Sequence, residues 1–267
     1  MKYKIDHDYH IHSELSLCAR DKRQTTQFIL QKALRLGFER ICLTDHFWDE
    51  TVPMASEFDF YQEQNYAHLS KALPLPQHEK VKFYFGCEAD MDKCMNIGIT
   101  KETADKFDFV IVTTTHLHMM GFTIDPEDDA LERRAVRYVE RFDTFLNKDL
   151  PFEKMGIAHL TYHNMAPAEF EDHIKLLDMI SDSEFRRLFS CAAEKGLGIE
   201  LNFNPFKYDA EQIEHILRPY RLAKKCGCKF YFGSDAHRPG YYVKLRQRFE
   251  MIVDMLDLEE EDKFSFI

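Results

Sequence analysis

The strongest constraint on how this chain can fold is an alternation. Seven short runs rich in β-branched and aromatic residues lie at 4–12, 40–46, 81–90, 107–116, 154–160, 196–203 and 228–237, with helical patterns between them. Several runs, such as FDFVIVTTTH, are almost continuously apolar, as strands covered on both faces are. TTQFILQKALRLG puts Phe28, Ile29, Ala33 and Leu36 on one side, with Thr25 or Thr26 to cap the helix and Gly37 to stop it. Stretches 131–146, 183–196, 210–227 and 244–256 read as further amphipathic helices, and Pro219 should kink or split the one over 210–227. Repeated β-α units imply parallel strands joined by right-handed crossovers. Seven of them within 267 residues, with no Pro/Gly/Ser linker, suit one α/β barrel domain over 1–267. The open doubly wound alternative wants a glycine-rich first turn, and HIHSELSLCARDK has no glycine.

Composition narrows the partners. The chain is 45% apolar and 30% charged, enough for a sizeable core. Its longest aliphatic stretch, FDFVIV, falls far short of the ~20 residues of a membrane span. MKYKIDHD has no apolar core of a signal peptide. Seven cysteines, an odd number without CxxC spacing, suggest a reduced, cytoplasmic chain. A net charge of −11 disfavours nucleic acid. A small anionic substrate stays open, because bound cations can reverse the local sign.

The chemistry lies at the strand ends. Strand one ends in His10 and His12, strand two in Asp45-His46, strand three in Glu88, strand four in His116, strand five in His159, and strand seven in Asp235 and His237. One HxH means little: 13 histidines in 267 residues give ~0.6 such triplets by chance, and a second, His116-Leu117-His118, is present. Six of seven strands supplying His, Asp or Glu to one barrel mouth is a different matter, since catalytic groups in such barrels sit there. These are ligand types for Zn, Mn or Fe. Residues two apart on a strand point the same way, so His10 and His12 can hold one ion. The set exceeds the needs of one tetrahedral ion and suits two or three divalent metals sharing carboxylates.

HxH, TDH, GxE, a strand-final His, AH and SDAH, in this order from His10 to His237, resemble the PHP (polymerase and histidinol phosphatase) superfamily. The resemblance implies a distorted (β/α)7 TIM-like barrel with a trinuclear metal site at the C-terminal ends of the strands. It implies that His10, His12, Glu88 and Asp235 hold the first metal and His46 and His237 the second. Glu88 would bridge to a third, completed by His116 and His159. Asp45 would orient His46 or sit near a metal-bound water. Where many members carry His or Asp about six residues after HxH, this chain has Cys18; either its thiolate substitutes or Asp21 reaches in. The stretches LTYHNM and TTTHLHMM also depart from the pattern.

The reaction expected is hydrolysis of a small phosphomonoester by metal-activated water, with L-histidinol phosphate the leading candidate. His237, His118 or His163 would give the leaving group its proton. Arg20 and Arg238 are candidate phosphate clamps, and His118 and His163 candidate pocket residues. Insertions 47–66 and 117–131 would select the substrate. Two other classes compete: an amidohydrolase-like metal hydrolase, which should place a lysine at a middle strand end, and a non-catalytic metal-binding module. His7, His68, His78, His173 and His215 are read as solvated or structural.

Overall fold

The computed structural model describes residues 1–56 and 58–266; Glu57, within the 47–66 insertion, and Ile267 lie outside the described residues. The strands are β1 (His7–Ile11), β2 (Arg40–Leu43), β3 (His46–Phe47), β4 (Lys82–Asp90), β5 (Phe109–Thr113), β6 (Met155–Ile157), β7 (Gly198–Leu201) and β8 (Lys229–Phe232). All pair in parallel in the order β1-β2-β4-β5-β6-β7-β8, with β3 also on β4. The expected second strand is therefore two pieces. At Thr44 the chain leaves β4 and turns to β1, with Thr44 N donating to Ile11 O at 2.8 Å.

The last seam closes the barrel and is irregular. His7 Nε2 accepts from Phe232 N at 3.0 Å, and Asp8 Oδ1 accepts from Ser234 N at 2.8 Å. Only beyond these does backbone meet backbone, with Asp235 N on His10 O at 2.8 Å and His12 N on Ala236 O at 3.1 Å. Side chains thus replace part of the β1–β8 ladder, which is the distortion the resemblance implied. His7 is fully buried in this seam, so it is structural and not solvated.

Helices follow the strands: α1 (Thr26–Leu36), the short α2 (Asp59–Gln62), α3 (Tyr66–Leu69) and α4 (Lys101–Ala104), then α5 (Leu131–Leu146), α6 (Asp172–Met179), α7 (Asp182–Glu194), α8 (Ala210–Lys225) and α9 (Leu245–Leu256). Thr25 caps α1 through the Phe28 amide, and Gly37 ends it in the left-handed conformation. Of the kink or split expected at Pro219, the split does not occur; α8 runs through it. Proline removes one helical hydrogen bond, but buried Ile216, Leu217 and Tyr220 pin the helix on either side. Among the described residues no helix is long and apolar enough to cross a membrane. All seven cysteines are free.

Among the described residues, two of the three apolar clusters build the barrel. The larger lies between strands and helices, as both-face burial requires. The smaller fills the barrel beneath the site with Tyr9, Phe109, Ile111, Tyr231 and Phe264. Gly156 makes room for it, since a Cβ there would lie 2.5 Å from the Tyr231 ring. The loop after β5 is held from outside by α5. Arg141, only 1% exposed, donates to the carbonyls of Met91 (2.6 Å), Asp92 (2.9 Å), Thr114 (2.5 Å) and Thr123 (3.2 Å).

Candidate metal centre

Glu88 stands at the middle of the barrel mouth. Its Oε1 lies 3.4 Å from His10 Nε2 and 3.2 Å from His159 Nε2. Its Oε2 lies 3.3 Å from His12 Nε2 and 3.0 Å from His46 Nδ1. The pleat explains the placement: Glu88 is on β4, His46 pairs with it in register from β3, and His10 and His12 arrive from β1. Asp235 Oδ1 comes from the seam, 3.2 Å from His12 Nε2 and 3.5 Å from His10 Nε2. His159 and Asp235 both adopt left-handed backbone, with φ of 62° and 54°. For non-glycine residues this costs about 1 kcal/mol or more, and it turns both side chains back over the mouth.

Among the described residues three groups could each hold a cation: His12, Cys18, His46 and His237; His10, Glu88 and His159; and His10, His12 and Asp235. Cys18 is thus drawn in. Asp21 lines the same cavity, but its carboxylate is taken by Arg23. The His237 ring stacks on His12 at 4.1 Å. His116 belongs to none of the three groups. Its Nδ1 meets Asp90 Oδ2 at 2.8 Å and its ring stacks on His159 at 5.0 Å. Both Asp45 oxygens are turned to Ser13, accepting its N at 2.7 Å and Oγ at 2.6 Å, so Asp45 secures the loop behind His12 and not the His46 ring.

The donor set fits divalent cations. His10 Nδ1 lies 2.5 Å from Glu200 Oε1, which makes Nδ1 the protonated nitrogen and leaves a lone pair on Nε2. That lone pair faces His12 Nε2 at 3.1 Å, besides Glu88 and Asp235. Two ligand atoms each about 2.1 Å from one zinc, at tetrahedral or octahedral angles, lie about 3.0–3.4 Å apart. Glu88 Oε2 and His46 Nδ1 are buried and, although 3.0 Å apart, do not meet at hydrogen-bonding angles, and neither has another hydrogen-bond partner. So many acceptors require positive charge between them, supplied by protons or by metal ions. Without metal, protons serve. Burial opposes charge on His12, but Asp235 and Glu88 outweigh it and lift its pKa to about 9. Burial likewise opposes ionisation of Glu88, and His46 and His10 hold it well below the carboxylate range. Against burial, the His46 charge with hydrogen bonds from His237 and His46 brings the Cys18 thiol down to about 4.

The centre opens into a cavity of about 820 Å³. Arg20, Lys22 and Arg238 stand on its wall with His118, Phe60 and Tyr162. His163 does not line it. That residue faces a neighbouring cavity of about 310 Å³ instead. The 47–66 insertion packs on itself and on the loop after β5, with Trp48, Tyr61 and Phe122 buried together.

Sequence reasoning missed the groups that hold the candidate ligands. Glu200 Oε2 also accepts the His159 amide at 3.0 Å, Asn202 Nδ2 lies 2.6 Å from His159 Nδ1, and Asp90 accepts from His116 and, at 2.6 Å, from Tyr61 Oη. The signal was available. Glu88-x-Asp90 and Glu200-x-Asn202 repeat the spacing of two seen in His10-x-His12, so each pair shares a strand face.

A family model described as PHP domain matches residues 8–204. A probable phosphatase of Aliivibrio fischeri (strain MJ11) is 26% identical over 207 residues, 77% of this chain and 68% of that protein. Among solved structures, histidinol phosphate phosphatase from Lactococcus lactis subsp. lactis Il1403, complexed with zinc, L-histidinol and phosphate, superposes with a TM-score of 0.58 at 17% identity. The match covers 97% of this chain and 98% of that one. At that identity the likeness is one of fold.

Proposed function

We propose that this chain, which belongs to the PHP domain family, is a metal-dependent phosphoesterase acting on a small phosphomonoester. The observation that carries the reading is the convergence of His10, His12, His46 and His159 on the buried Glu88, with Asp235 on His10 and His12, below a cavity walled by Arg20, Lys22 and Arg238. The relative described as a probable phosphatase supports it.

His10, His12 and Asp235 would hold one ion, and His46, His237 and Cys18 a second. Glu88 lies between them, and with His159 it would hold a third; the proposed ions are Zn, Mn or Fe. Bound ions supply a nucleophilic water near neutral pH and neutralise charge on the transferring phosphoryl group. The chain's own part is positioning. Glu200, Asn202 and Asp90 fix the His10, His159 and His116 rings, and Asp45 secures the loop that carries His12. Arg20, Lys22 and Arg238 would draw the phosphate to the mouth. His237 Nδ1 is engaged by Asp235 O at 2.8 Å, leaving Nε2 for a metal. His118 on the cavity wall, whose pKa burial and the His116 charge lower to about 3, would meet the substrate as an uncharged ring and not as the acid. Seven unpaired cysteines suit a cytoplasmic enzyme.

The test is phosphate release by Mn- or Zn-loaded protein from L-histidinol phosphate, a simple aryl phosphate and a dinucleotide, with Glu88→Ala as control. Release from a monoester that the substitution abolishes is the expected result. Metal-loaded protein that releases phosphate from none of them would overturn the proposal.

A further inference from the structure

Beside the metal centre lies the second cavity, of about 310 Å³, and its charge runs against the rest of the molecule. The chain carries −11 overall, yet Lys207, Arg238, Lys244 and Arg248 all line this cavity, with Asp235 its one carboxylate. Lys207, Arg238 and Lys244 form no ion pair with any described residue; Arg238 lies over the Tyr241 ring and Lys244 over the Phe206 ring. Arg248 gives one nitrogen to Gly233 O at 3.0 Å, while its Nε is buried without a protein acceptor. The charges of Asp8, Glu200 and Asp235 act on Arg248, but Lys207, Arg238 and Lys244 have no ion-pair partner among the described residues and repel one another unless an anion enters.

The two cavities share a wall. Tyr162, Asp235, Arg238 and Tyr241 line both. Asp235 is at the same time 3.2 Å from His12 Nε2, so the second cavity begins at the metal centre itself. A molecule whose phosphate sits at the centre can therefore place its other end there. Around the cations the lining is largely flat rings, among them Phe170 and Tyr208, stacked at 5.6 Å.

We propose that this cavity is the specificity subsite, and that it receives an anionic group, carboxylate or second phosphate, on the far end of the substrate. The inference rests on the phosphoesterase reading and gives it a substrate class: a phosphomonoester with a distal anion and a flat or short spacer. It also predicts that an amine such as L-histidinol phosphate is a poorer substrate than an acid of like size.

A matched set of benzyl phosphates bearing a para carboxylate, phosphate, hydrogen or aminomethyl group tests it, together with the corresponding non-hydrolysable benzylphosphonates in equilibrium binding. The metal-loaded protein should favour the carboxylate or the phosphate over the aminomethyl compound at least tenfold, in kcat/KM and in phosphonate affinity. Which of the two anions binds better identifies the natural group. In Lys207→Glu/Lys244→Glu the preference should vanish through KM, with unsubstituted benzyl phosphate changed less than twofold. Equal or better binding of the aminomethyl phosphonate, or a preference that survives the double substitution, overturns the subsite. If the phosphonates show the preference but no phosphate ester is cleaved, the subsite stands and the phosphoesterase reading falls.

Discussion

Replacing Glu200 with glutamine should weaken metal binding without touching any ligand. Glu200 is wholly buried and both its oxygens accept, Oε1 from His10 Nδ1 at 2.5 Å and Oε2 from the His159 amide at 3.0 Å. Glutamine keeps the shape but has one acceptor and one donor group. If its oxygen turns to His10, its NH2 faces the His159 amide and strands a buried donor. If it turns to His159, its NH2 meets His10 Nδ1, and the imidazole must move its proton to Nε2, where a metal needs the lone pair. There is no third arrangement, because Gly233 is packed so close that even a Cβ there would lie 2.0 Å from Oε1. A stranded buried donor costs about 1–3 kcal/mol. At 1.4 kcal/mol per tenfold that is about 5- to 150-fold in affinity, overlapping the 10–100-fold (roughly) found when outer partners of metal-bound histidines are lost. Competition for zinc against a chromophoric chelator measures it, with thermal unfolding of the metal-free proteins as the control for folding. Affinity within twofold of the parent, in a variant that unfolds normally, would refute the argument.

Three more outcomes are expected. Cys18→Ser should remove the thiolate-to-cobalt charge-transfer absorption of Co-loaded protein and lower its cobalt content; unchanged absorption would take Cys18 out of the site. His12 has its pKa raised from 6.5 to about 9, so the stability it lends the metal-free fold is full below 6.5 and lost as pH rises through about 9. Metal must displace that proton, so affinity should climb between those pH values, with proton release seen by calorimetry in buffers of different protonation enthalpy; a flat affinity would contradict this. Arg141→Met strips donors from four buried carbonyls and should cost about 3 kcal/mol or more; a melting temperature within 2 °C (roughly) of the parent would mean the carbonyls find other partners.

The barrel was legible because both-face burial writes itself as continuous apolar runs, and the helix over 131–146 has the bounds its periodicity indicates. The strand ends were less so. His116 and His159 lie beyond their strands, on loops whose course depends on Arg141 and on a left-handed backbone that no spacing encodes. Pro219 does not split α8, because local propensity yields to packing on both sides of it. The candidate ligands stand out in the sequence, since few residue types suit metals. Glu200 and Asn202 did not, because a carboxylate or amide in a strand looks the same whether it holds a histidine or meets water. The second cavity was illegible for another reason: Lys244 and Arg248 stand one turn apart at the start of α9, but Lys207 comes from the segment after β7 and joins them and Arg238 only once the chain has folded.

The Tyr61–Asp90–His116 chain sets a rule for anyone who would graft new loops onto this barrel. Tyr61 belongs to the outer insertion and His116 to the mouth, and they share one oxygen of Asp90. An exchanged 47–66 segment that brings no hydroxyl to that place leaves Asp90 with a freed lone pair and the His116 ring with a looser hold. Swapping that loop therefore edits the reactive end of the barrel as well as its entrance, and a library built there should keep Tyr61 while it varies the rest.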